Sequence, residues 1–129
     1  MKEHKRGNCL GSKTKDSDGE WMYKWKSYNQ VYKLTQALAN VIVKEEFAQE
    51  TKDADFDITI KTVGICSVNR EEWLLTDLAC NLLDVTSVPL YETLGEEIMK
   101  IILSQTEMST IFGSDVCLTN ILKLLKGEP

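Results

Sequence analysis

The strongest constraint on this 129-residue chain is a pattern repeated three times in its second half: a short β-branched, apolar run, then a stretch with helical spacing. From Ile58 to Val68, the residues Val63, Ile65, Cys66 and Val68 form the near-continuous hydrophobic run of an interior strand. Asn69 then offers a helix cap with Glu72 three residues on. Trp73, Leu74, Leu75, Leu78, Ala79, Leu82 and Leu83 follow as a broad apolar face, which predicts a largely buried helix. The same succession predicts a strand over 86–90 with a helix from Thr93 to about Ser104, and a strand over 109–112 with a helix from Asp115 to Lys126. Helices of this length between short buried strands imply right-handed crossovers and a sheet covered on both faces. The expected fold class is α/β: three consecutive β-α units forming part of a doubly wound, mostly parallel sheet, preceded by an aromatic strand and a helix.

That preceding strand lies at Trp21 to Lys26, where aromatic residues take every second position and Lys24 and Lys26 the opposite face. The spacing marks a half-buried strand with its aromatic stripe in the core. Ser27 and Gln30 then form a capping box for a helix whose buried face is expected to hold Val31, Leu34, Leu38, Val41 and Ile42, ending near Lys44. Residues 1–19, polar and carrying Gly7, Gly11 and Gly19, read as a flexible lead-in, with structure beginning near Glu20. The expected domain is 20–129, interrupted by an exposed acidic loop over 45–57.

Charge and residue inventory exclude several functions. Twenty acidic residues against 15 basic ones repel nucleic-acid phosphates, and the basic residues gather only in the tail at Lys2, His4, Lys5 and Arg6, with Lys13 and Lys15 behind. No nucleic-acid partner is expected. Cys9, Cys66, Cys80 and Cys117 have neither the spacing of a zinc or redox site nor a secretory leader, so they read as reduced cytosolic thiols and the chain as cytoplasmic. The single His4 excludes a histidine triad or a multi-histidine metal site. No hydrophobic run approaches the ~20 residues of a transmembrane segment.

In a doubly wound sheet ligands bind beyond the carboxyl ends of the strands, here residues 69–72, 91–95 and 113–115. The seven glycines form no phosphate-binding loop, and each helix start carries acids: Glu71 and Glu72, Glu92 and Glu96, Asp115. Acids in a first helical turn complement the macrodipole, so a magnesium cluster is not needed to explain them. Asp77 and Asp84, like Asp53 and Asp55, read as solvated charge. Cys66 reads as a small buried hydrophobe rather than a nucleophile. Lys100, Lys123 and Lys126 fall on polar helix faces. No catalytic, cofactor-binding or metal-binding residue is assigned.

The residues Val63-Gly64-Ile65-Cys66-Ser67-Val68-Asn69-Arg70-Glu71-Glu72-Trp73 resemble the "VGI-x-S-x-NRPEW" signature of AMP-forming long-chain fatty acyl-CoA ligases, with Glu71 in place of the usual proline. Ala79-Cys80 matches that family's small-residue step, and Val88-Pro89-Leu90-Tyr91-Glu92-Thr93-Leu94-Gly95 is close to its "VPLYDTLG" segment. Upstream, Cys9-Leu10-Gly11-Ser12-Lys13 resembles "CLG-x-R", and Tyr23-Lys24-Trp25-Lys26-Ser27-Tyr28 resembles "Y-x-W-x-SY". The resemblance covers about Gly7 to Ser114 and only the leading portion of an enzyme several times longer.

It implies an N-terminal fragment of an enzyme that activates fatty acids with ATP and magnesium to an acyl-adenylate and passes the acyl group to coenzyme A. That enzyme commonly works on the cytosolic face of endoplasmic reticulum, mitochondrial or peroxisomal membranes. The family's Pro-Lys-Gly phosphate loop, its Tyr-Gly-x-Thr-Glu segment, its hinge aspartate and its C-terminal lysine have no counterpart in this chain. The expected role is therefore scaffold, without catalysis by this chain alone, with the remainder of the ligase domain as the expected partner. Two alternatives stay open: a stand-alone α/β interaction module derived from the ligase N-terminus, and a small flavodoxin-like binder of nucleotide or flavin, which the acidic helix starts oppose.

Overall fold

The structure, a computed structural model, describes residues 6–53, 57–91 and 93–126. It opens with a two-stranded antiparallel hairpin, β1 (Asn8–Lys15) and β2 (Trp21–Ser27), which leads straight into helix α1 (Tyr28–Lys44). The capping box stands as the sequence implies: the Ser27 hydroxyl accepts from the Gln30 amide while the Gln30 side chain accepts from the Ser27 amide, satisfying two donors that helix geometry leaves without partners. Strand β3 (Glu50–Asp53) runs antiparallel to the first half of β4 (Ile58–Cys66). The three β-α units follow as β4 with α2 (Glu71–Leu82), β5 (Thr86–Pro89) with α3 (Glu96–Thr106), and β6 (Ile111–Gly113) with α4 (Asp115–Lys126).

Strands β5 and β6 are both parallel to β4, and both pair with its Gly64 and Ile65, so they occupy opposite edges of β4. The helices divide between the faces. Val63 of β4 packs in one core with Ala39 and Ile42 of α1 and Ala79 and Cys80 of α2. Cys66 packs in the other with Met99 of α3 and Cys117 and Ile121 of α4. Strand side chains alternate faces, so residues 63 and 66 must point to different layers, and the doubly wound α/β architecture follows.

Several expectations need correction. Residues 8–15 are a strand, not part of a flexible lead-in; their own sequence lacks apolar alternation, and the strand is dictated by the partner β2. Residues 1–5 lie outside the described residues. The aromatic stripe of β2 is not core: Trp21, Tyr23 and Trp25 are 51–60% exposed, with no layer of the described residues covering them. The segment 45–57 is not all loop, since residues 50–53 find backbone partners along β4 despite weak propensity.

On α1 the buried stripe runs through Val31, Thr35, Ala39 and Ile42, while Leu34 and Val41 face outward. Strand β4 ends at Cys66 and leaves Val68 exposed. Helix α2 begins at Glu71 with Arg70 at its cap position and no side-chain cap, so Asn69 does not play that part. Leu82 is exposed, so α2 is buried mainly through Leu75, Thr76, Ala79 and Cys80. Helix α3 starts at Glu96, later than Thr93, behind Gly95.

Thr35 is buried in α1 with its hydroxyl lacking a hydrogen-bond partner. A buried hydroxyl without a partner forfeits its hydration. Thr35→Val keeps the shape and removes that loss, and is expected to raise stability by about 1 kcal/mol, read as a higher urea midpoint at unchanged slope.

Candidate functional site at the strand ends

The crossover from β4 leads to one edge of the sheet, and the next crossover returns to the other edge. The loops leaving β4 and β6 therefore diverge, and a crevice opens between them at the carboxyl ends of the strands. A cavity of about 240 Å3 lies there, lined by Ile65, Ser67, Arg70, Glu72, Trp73 and Thr76 from the first unit and by Phe112, Gly113 and Ser114 from the third. A second hollow of about 420 Å3 is shared by Ser67, Val68, Asn69 and Trp73 with Tyr91 and Thr93. The structure thus gathers all three strand-end segments around the β4-α2 loop.

Gly113 makes this convergence possible. It pairs with Cys66 across the parallel ladder, and the Ser114 amide donates to the Cys66 carbonyl at 3.0 Å. A Cβ at position 113 would stand 2.8 Å from that same carbonyl oxygen and 2.8 Å from Leu118 Cδ2, so only glycine allows the two strand ends to approach.

The two acids at the start of α2 are engaged by protein groups. Glu71 takes Lys26 Nζ at 2.8 Å on Oε1 and at 2.6 Å on Oε2, where it also accepts from Ser12 Oγ at 2.6 Å. The Lys26 hydrogen bonds, then that of Ser12, hold the Glu71 carboxyl below its usual range. Arg70 forks onto Glu72 at 2.8 and 2.9 Å; this pairing lowers the Glu72 carboxyl and raises the Arg70 guanidinium. Asp115 is exposed at the start of α4 and Glu96 at the start of α3, while Glu92 lies outside the described residues.

Elsewhere, Asp77 is not simply solvated: it accepts from Ser87 Oγ at 2.6 Å and ties α2 to β5. Asp84 is exposed in a turn with φ of 55°, and the side chain of Asp53 and all of Asp55 fall outside the described residues. Cys66 is buried at the strand end, and burial pushes the Cys80 thiol up to about 11. Lys100, Lys123 and Lys126 are exposed, away from the crevice lining. The contacts from Glu71 to Ser12 and Lys26 span 59 and 45 residues, and no local spacing announced them.

These donors do not suit a nucleotide with magnesium. Both Glu71 oxygens and the Arg70 fork are already engaged. Among the described residues no group of three or more His, Cys, Asp or Glu could hold a metal ion.

Fold and crevice together define an α/β layer with a hollow at the carboxyl ends of its strands. Residues 13–129 match the AMP-binding enzyme family, and the chain belongs to it. Long-chain-fatty-acid–CoA ligase 1 of Homo sapiens is 33% identical over 106 residues, which is 82% of this chain and 14% of that protein. The peroxisomal long chain acyl-CoA synthetase 6 of Arabidopsis thaliana is 30% identical over 120 residues, 93% of this chain and 16% of that protein. The chain therefore spans about one-seventh of the length of these relatives.

Two solved structures share the fold. One is a luciferase-like enzyme from the nonluminescent Zophobas morio mealworm, with a TM-score of 0.66 at 24% identity over 81% of this chain and 23% of that one. The other is the A domain of a carboxylic acid reductase from Segniliparus rugosus, with a TM-score of 0.65 at 20% identity over 90% and 18%. Among the described residues no helix is long and apolar enough to cross a membrane.

Gly113→Ala is expected to cost about 1–3 kcal/mol, because the new methyl meets a backbone carbonyl that cannot yield without displacing β4. The loss is read from the urea midpoint. An unchanged midpoint means the strand ends are not in contact as described.

Proposed function

We propose that this chain is the leading part of the large N-terminal domain of a long-chain fatty acid–CoA ligase, serving as scaffold beneath the substrate site. The observation that carries the reading is the 33% identity over 82% of the chain with a long-chain-fatty-acid–CoA ligase of which it matches only 14%. A second observation agrees with it. Ile98 and Ile101 of α3 and Val116, Leu122 and Leu125 of α4 are 50–64% exposed, apolar surface that a further layer of the same domain would cover.

In such a ligase a fatty acid is activated with ATP and magnesium, and its acyl group then passes to coenzyme A. We assign none of these steps to residues of this chain. Adenylation needs phosphate-holding amides, a metal-holding carboxylate and a lysine converging on the reacting atoms. Here Glu71 is engaged by Lys26 and Ser12, and Glu72 by Arg70.

The reading is tested by exchange. The matched segment of a full-length long-chain ligase is replaced by that of this chain, and oleoyl-CoA formation is followed by AMP release. Activity within about tenfold of the parent is expected, since a scaffold segment contributes no reacting group. The isolated chain is expected to give no acyl-CoA above the enzyme-free blank. Magnesium-dependent product from the isolated chain, or a folded but inactive exchange protein, would overturn the proposal.

A further inference from the structure

The hairpin β1-β2 is a sheet of its own, separate from the sheet built on β4. Its large apolar side chains do not anchor it: Trp21, Met22, Tyr23 and Trp25 are all about half exposed or more. The Trp25 ring instead lies over Gly11 of the hairpin itself, within 3.0 Å of where a Cβ would stand. What joins the hairpin to α2 is polar. Glu71 receives three hydrogen bonds from Ser12 of β1 and Lys26 of β2, with the Lys26 and Glu71 side chains only 25% and 24% exposed. Between hairpin and helix start lies a groove of about 780 Å3, walled on one side by Gly11, Lys13 and Tyr23 and on the other by Val68, Asn69 and Arg70.

We propose that the hairpin is a strap across the strand-end groove, latched by the Glu71 carboxylate, and that it opens as a unit while the α/β layer stays folded. Local opening of this kind is governed by how little apolar surface holds a segment down. Here the partly buried charge cluster at Glu71 is the side-chain hold on α2, beside the direct run of β2 into α1 and the half-buried Cys9 and Leu10 of β1. The other charged groups at the latch come from its own helix start and from α4. Glu72 opposes the Glu71 charge, Arg70 answers Glu72, and Asp115 of α4 acts on Arg70 from across the crevice.

The latch has a defined pH sense. Because the folded Glu71 carboxyl is held below its ordinary value, its contribution is complete above that ordinary value and is lost as pH falls through the depressed one. Glu71 stands where the resembled ligase motif has proline, a residue without a carboxylate, so the latch distinguishes this chain from sequences that follow the motif.

The test is amide hydrogen exchange on the whole chain at neutral pH, comparing residues 8–27 with residues 62–66. In Glu71→Gln and in Lys26→Met the hairpin amides are expected to exchange about tenfold faster, while those of the central strand keep their rates. Lys26→Glu is expected to open the hairpin further, and adding Glu71→Lys to it to restore most of the protection by reversing the pair. If hairpin and central strand accelerate together, the hairpin is part of the global fold and the strap is refuted. Unchanged hairpin rates, or a hairpin already unprotected in the parent chain, refute it equally.

Discussion

Everything in this fold hangs on the second half of β4. Val63 and Ile65 are almost entirely inaccessible, and the backbone between Thr62 and Cys66 is hydrogen-bonded to a parallel strand on each edge. A strand in that position has no solvent-facing side, so its residues must be apolar or very small on both faces. Gly64 meets the second demand: a Cβ there would come within 2.6 Å of Met108 Sδ and 3.0 Å of Ile111 Cγ1. The segment leading into β6 can therefore lie directly on the strand, and the Gly64 amide donates to the Thr110 carbonyl at 2.9 Å. The same closeness carries β6 to the Cys66-Gly113 pairing, and so it creates the crevice.

The two halves of the molecule are held by different physics. The α/β layer is held by burial, with Ile42, Val63, Ala79 and Cys80 packed on one face and Cys66, Leu90 and Cys117 on the other. The hairpin, continuous with α1 through Ser27 and Tyr28, is joined to α2 by charge and hydrogen bonding at Glu71. From sequence, Glu71 is the loss of a residue suited to the first helical turn; in three dimensions its carboxylate faces Lys26 and Ser12 and does work that proline could not do. A substitution that weakens a local signal has become a long-range contact.

The parts of the fold legible in the sequence were those set by local periodicity. The three β-α units and the Ser27-Gln30 capping box follow from spacing alone, and β4, β5 and α4 lie where apolar runs and caps put them. The parts that were not legible depend on partners distant in sequence. Strand β1 exists because β2 pairs with it and β3 because β4 does, and neither has alternation of its own. The aromatic stripe of β2 has strand periodicity, but periodicity states which residues share a face and not whether anything covers that face. At the site, the three strand-end segments were legible from topology, whereas the engagement of Glu71 by Lys26 and of Asp77 by Ser87 was not.

The exposed aliphatic residues of α3 and α4 bear on the proposed reading of this segment as a scaffold. Five side chains there remain 50–64% exposed. Full burial of such a side chain contributes about 1.5–3 kcal/mol, so covering what is left of all five would add on the order of 5 kcal/mol. That is comparable with the whole stability of a domain, about 5–15 kcal/mol. Yet the cores on the two faces of β4 are each closed by residues of this chain, with Val63, Ala79, Cys80 and Cys117 at 0–1% exposure. The segment can thus set its own sheet order and crevice first, and a covering layer would deepen its stability without having to define its topology.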